Sequence, residues 1–144
     1  MHYKNLFIAF VCSLVANDAA AQNTVNWTAN QLMEPAQLAR MITSGEKLPL
    51  LISVGPGATI PHSKAIGQAK EPENLDKLSA LLKEVKKKEA FVIYCGCCPY
   101  EHCPNVRPAI ALLKEKGFRN YKLLNLPHNI KTDWIDKGYP KAEL

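Results

Sequence analysis

The sequence predicts an α/β domain with a central, mostly parallel sheet flanked by helices. Three observations predict it. Residues 48–54 and 90–94 are short, near-continuous apolar runs, as expected of strands covered on both faces. Amphipathic helical segments alternate with these runs. Prolines stand where two of the helices should open, and a missing N–H costs nothing in a first helical turn.

The elements follow in order. Residues 22–29 form a lead-in, with Trp27 as a packing anchor. Pro35 opens a first helix, Leu38, Met41 and Ile42 give it an apolar face, and Gly45 ends it. The buried strand at 48–54 breaks at Gly55-Pro56-Gly57, and a loop runs on to Gly67. Pro72 opens a second helix whose stripe is Leu75, Leu78, Leu81, Leu82 and Val85, closed by Lys86, Lys87 and Lys88. The strand 90–94 leads directly into a cysteine-rich loop. A third helix runs from about Asn105, its expected cap, to Lys116, and Gly117 follows it. Residues 121–126 read as a further strand, and 130–137, with Trp134 and Ile135, as a closing helix.

The first residues have the order of a secretory signal: Lys4, an apolar run over 6–16, then Ala19-Ala20-Ala21 before Gln22. The apolar run is shorter than the roughly 20 residues that span a bilayer. The expectation is a signal peptide over 1–21, one domain over 22–144, and a periplasmic or secreted protein without a membrane anchor. Phe10 and Val11 precede Cys12, where a lipid-attachment site would want small residues.

The formal net charge is +5. The lysine run at 86–88 sits at a helix end and has no interleaved aromatics, so it predicts no nucleic-acid surface. Cysteine usage is more informative. Besides Cys12, the chain has Cys95, Cys97, Cys98 and Cys103, all in one short stretch. Cysteines that staple a small exported domain close long loops. These cannot, so they belong to a site.

Cys95 ends a buried strand just ahead of a helix. Unpaired N–H groups and the dipole at a helix start favour a thiolate, and Arg107 in the first turn adds charge. Pro104 and Pro108 withhold N–H groups, so the loop is a poor cradle for a tetrahedral oxyanion. Four thiols, with His102 as a spare ligand, also suit a soft metal such as zinc or Cu(I). The C-x-C-C-x4-C spacing is neither paired C-x-x-C knuckles nor a common ferredoxin pattern. No C-x-x-C-H motif for covalent haem is present. A Cys98–Cys103 disulfide, with Cys95 free and Cys97 as a resolving thiol, is a third possibility. His62, His128 and Tyr100 stand on loops, while Tyr94 and Trp134 read as packing residues. Glu101 lacks the acidic partner that glycosidase chemistry needs.

Several segments together resemble the rhodanese family of sulfurtransferases. Residues 33–45 resemble its first helix and 50–54 its first buried strand. Thr59-Ile60-Pro61 through Ala65-Ile66 resembles its "HIPGA" segment, and 91–95 the strand that ends on its catalytic cysteine. Residues 111–118, Asn125-Leu126, Trp134 and Gly138-Tyr139-Pro140 resemble the elements that follow. The departures are local. Ser53-Val54-Gly55 replaces the family's "DVR" turn, Pro127-His128-Asn129 replaces a Gly-Gly turn, and the loop after Cys95 is expanded. Arg107 lies 12 positions after Cys95 and nine after Cys98, too far for the related phosphatase and arsenate-reductase pattern. The resemblance implies a persulfide cycle. Cys95 would be the catalytic nucleophile, Arg107 would assist, and Cys97, Cys98 and Cys103 would be accessory thiols. No cofactor is implied; the partners would be a small sulfur-containing substrate and a thiol acceptor. The alternative is a soft-metal-binding module on the same scaffold, with Cys95, Cys97, Cys98, Cys103 and His102 as candidate ligands.

Overall fold

The computed structural model describes residues 27–143. The expected signal peptide, with Cys12, lies outside the described residues. Five strands and three main helices follow one another as β1 (Leu32–Met33), α1 (Pro35–Ser44), β2 (Leu50–Ser53), β3 (Lys64–Ala65), α2 (Pro72–Lys83), β4 (Phe91–Tyr94), α3 (Val106–Glu115) and β5 (Tyr121–Leu124). The strands form one sheet in the order β1-β5-β4-β2-β3, and every neighbouring pair is parallel. β4 lies at the centre, between β2 and β5.

The two apolar runs are continuous because the sheet is covered on both faces. Ile52, Phe91, Ile93 and Leu123 face one layer, with Leu78 and Leu82 of α2 and Val106, Ile110 and Leu113 of α3. Their sequence neighbours Leu51, Val92, Tyr94 and Leu124 face the other, with Leu38 of α1 and Trp134. That division is the two-residue period of a strand. Each such aliphatic side chain, fully buried, contributes about 1.5–3 kcal/mol. Phe118 closes the first layer edge-on to Phe91, with ring centroids 5.2 Å apart.

The helix boundaries follow local chemistry. Pro35 and Pro72 occupy first-turn positions, and Gly45 ends α1 at φ 69° in the left-handed region that favours glycine. α2 stops at Lys83, ahead of the lysine run. Lys87 instead lies 4.1 Å above the Phe118 ring and donates to the Lys116 carbonyl at 2.6 Å. The closing segment is a short π-helical turn, Lys131–Ile135, which buries Trp134. Trp134 Nε1 donates to the Pro140 carbonyl at 2.7 Å. No helix among the described residues is long and apolar enough to cross a membrane.

Candidate functional site

Cys95 follows the last residue of β4, at the carboxyl end of the central parallel strand, where open α/β sheets place their sites. Its side chain continues the inward alternation of Phe91 and Ile93 and is 2 % exposed. The loop beyond it rises over the sheet end, makes a short 3₁₀ turn at Tyr100–His102, and enters α3. Two backbone bonds tie it to the segment after β5. Tyr100 N donates to the Leu126 carbonyl at 3.3 Å, and Ile130 N to the Gly96 carbonyl at 3.0 Å. On the opposite side of the sheet end, the Tyr94 hydroxyl accepts from Ile60 N and donates to Ser63, pinning the loop after β2.

This anchoring draws the four cysteines together. All four sulfur atoms lie within 4.8 Å of one another. Cys95 Sγ is 3.2 Å from Cys97 Sγ, and Cys97 Sγ is 3.3 Å from Cys98 Sγ. Cys95 and Cys103 are buried, Cys98 is half-buried and Cys97 exposed, and all four are free thiols. The cluster thus has a buried floor and a solvent-facing edge.

Two residues outside the loop shape the site. Gly55 is buried beside it, and a Cβ added there would stand 2.6 Å from Cys95 Sγ, closer than any side chain tolerates. Gly55 therefore leaves the space that Cys95 Sγ occupies. Asn105 is the second. At the start of α3 it does not cap its own helix, because its backbone is already helical and its side chain is turned away. Its amide instead donates to Cys95 Sγ at 3.5 Å and accepts from Lys70 N at 3.0 Å.

These contacts divide the thiols electrostatically. The hydrogen bond from the Cys103 thiol lowers Cys95 to about 5, against the opposing effect of burial, with further support from Cys97 and Asn105. Burial, then the hydrogen bonds to Cys95 and Cys98, pushes Cys97 up to about 12. Cys103, which donates to Cys95, is also pushed up. The contacts thus favour the thiolate form at Cys95 and the thiol form at Cys97 and Cys103.

The other candidate residues spread out. The Arg107 guanidinium reaches the Glu101 carbonyl at 3.3 Å and lies 5.9 Å from the Trp27 ring, so it braces the loop from outside. His102 is exposed and does not join the sulfur cluster. His128 pairs with Asp133 at 2.9 Å in the turn after β5, and His62 is exposed. Tyr94 and Trp134 are buried, as expected of packing residues. The four cysteines expected to share a site do lie together, and sequence reasoning missed Gly55 and Asn105 as their neighbours.

No family model matches the sequence, and no curated protein matches it. Solved structures do match the fold. A rhodanese-like domain from Anabaena superposes with a TM-score of 0.56 at 17% identity, over 79% of this chain and 80% of that one. A rhodanese-related protein from Thermoplasma volcanium gives 0.50 at 19% identity, over 78% and 97%. EanB in complex with hercynine gives 0.56 at 20% identity, over 85% of this chain but 29% of EanB. This chain thus spans under a third of EanB, which has also been captured as a cysteine persulfide with ergothioneine. The parallel sheet, its strand order and these superpositions agree: the chain has the rhodanese-like α/β fold.

Proposed function

We propose that this protein is an exported sulfane-sulfur carrier of the sulfurtransferase or thiol-redox type, working through Cys95. One observation carries the reading: a buried cysteine at the end of the central strand lies 3.2 Å from an exposed-side thiol, Cys97. The fold shared with rhodanese-like domains, and the persulfide captured on EanB, support it.

The cycle balances without an added oxidant. The Cys95 thiolate attacks the outer sulfur of a donor such as thiosulfate. A Cys95–S bond forms, the donor's S–S bond breaks, and sulfite leaves with the electron pair. A nucleophilic acceptor then attacks the terminal sulfur and returns Cys95 to its thiolate. The Cys103 thiol and the Asn105 amide hold Cys95 for attack. Arg107 adds positive charge at the helix entrance while bracing the loop through Glu101. Cys97, Cys98 and Cys103 are accessory thiols around it.

Sulfur transfer from thiosulfate to cyanide tests this reading. Turnover by the reduced chain that vanishes in Cys95→Ser supports it, and turnover that survives Cys95→Ser removes Cys95 from the reaction. Export to the periplasm or medium rests on the n-region, apolar run and small residues before Gln22. It is tested by sequencing the N-terminus of the protein from the exported fraction. A start at Gln22 supports export, and an intact Met1 in the cytosol refutes it.

A further inference from the structure

Beyond sulfur transfer, we propose that Cys95, Cys97, Cys98 and Cys103 bind a single soft d10 ion, Zn(II) or Cu(I), in an all-thiolate site. The proposal rests on the placement of the sulfur atoms and not on the sulfur-transfer reading. In a tetrahedral thiolate site the metal–sulfur bonds are about 2.3 Å, which sets the sulfur–sulfur edges at roughly 3.8 Å. Here Cys97 Sγ lies 3.2 Å from Cys95 Sγ and 3.3 Å from Cys98 Sγ, and no pair of the four exceeds 4.8 Å. The edge length of a one-ion tetrahedron falls inside that range. Small movements of the exposed Cys97 and half-buried Cys98 would bring the donors onto it. An iron–sulfur cluster distributes its thiolates over separate irons, which a group this tight does not accommodate.

The donor set selects the ion. Among the described residues no carboxylate or imidazole joins the four sulfurs, and hard cations want oxygen, whereas thiolates select zinc and Cu(I). The surroundings suit a ligand site. The Asn105 amide donates to Cys95 Sγ from outside the ligand shell, the arrangement that orients metal ligands. Gly55 leaves the space that Cys95 needs. The loop is tied down at Gly96 and Tyr100, so the donors are largely in place, and exposed Cys97 provides the entry side. The same placement explains the clustering of cysteines in one loop, which staples nothing.

The test uses the purified chain, reduced and free of metal. Zn(II) and Cu(I) are titrated separately against a competing chromogenic chelator, with stoichiometry read by native mass spectrometry. One ion per chain, held against the chelator, is expected for at least one of the two metals; which metal is held identifies the ion. Retention should be lost in Cys97→Ser/Cys103→Ser and kept in His102→Ala. Because Cys103 is buried, the single exposed substitution Cys97→Ser is read as well. In the Co(II)-loaded protein it should weaken the intense visible bands of a tetrahedral thiolate site, with the far-ultraviolet circular dichroism unchanged. Failure of the wild-type chain to hold either ion, or retention unchanged by both cysteine variants, overturns the proposal. Sulfur loading of the metal-free chain is scored separately, so either reading can fail alone.

Discussion

The two ends of the sheet differ in a way that separates volume from chemistry. At the amino ends of the strands lies a cavity of about 470 Å³, lined by Met33, Met41, Leu48, Phe91 and neighbouring lysines. It holds no cysteine or histidine. At the carboxyl ends the cysteines sit in a compact cluster. The chemistry lies where strand ends, a helix start and loop N–H groups converge. A site this small suits a sulfur atom or one metal ion better than a large organic ligand.

The sharpest way to break that contrast is Gly55→Ala. The new Cβ would meet Cys95 Sγ at 2.6 Å, so the thiol or the strand end must shift. We expect about 1–3 kcal/mol of destabilisation and a loss of sulfur loading on the order of a hundredfold, as for reacting atoms displaced by about 1 Å. Thermal unfolding and intact mass after thiosulfate read the two effects. Wild-type loading in this variant would show that the Gly55 approach does not matter.

Asn105→Ala comes next. It removes a donor to Cys95 and leaves Lys70 N without its partner, at about 1–3 kcal/mol. The pH dependence sharpens the same point. With Cys95 lowered to about 5 by the Cys103 thiol, the Cys95 thiolate should persist at neutral pH in the reduced, metal-free chain. It should disappear as pH falls through about 5, because protonation then removes the nucleophile. Thiolate ultraviolet absorbance follows this step, which should move to higher pH in Asn105→Ala and vanish in Cys95→Ser. A step at an ordinary thiol pKa would contradict the assigned hydrogen bonds.

The smallest expected effect is at the opposite end. Met41→Ala enlarges the cavity there and should cost up to about 2 kcal/mol, the low end for a methionine truncation because Met41 is only half-buried. Sulfur loading should not change. A large loss of loading would show that the two ends are coupled.

Much of this was legible in the sequence, and the misses have physical causes. Pro35, Pro72 and Gly45 mark helix ends through backbone chemistry that acts locally, and the apolar runs at β2 and β4 report burial on both faces. The two-residue strands β1 and β3 are too short to show a period, and β3 is exposed, so their pairing depends on neighbours distant in sequence. Asn105 has the sequence of a cap, and a tertiary contact redirects it to Cys95. The place of Gly55 beside Cys95 depends on β2 and β4 being neighbours, which spacing along the chain does not reveal.

The central claim is that Cys95 carries sulfane sulfur, and the most direct test is peptide-resolved mass spectrometry of the reduced, metal-free chain after thiosulfate. The account predicts one added sulfur on the Cys95 peptide, removed by a thiol acceptor and absent in Cys95→Ser. An added sulfur found only at Cys97, Cys98 or Cys103, or none at all on the folded chain, would contradict it.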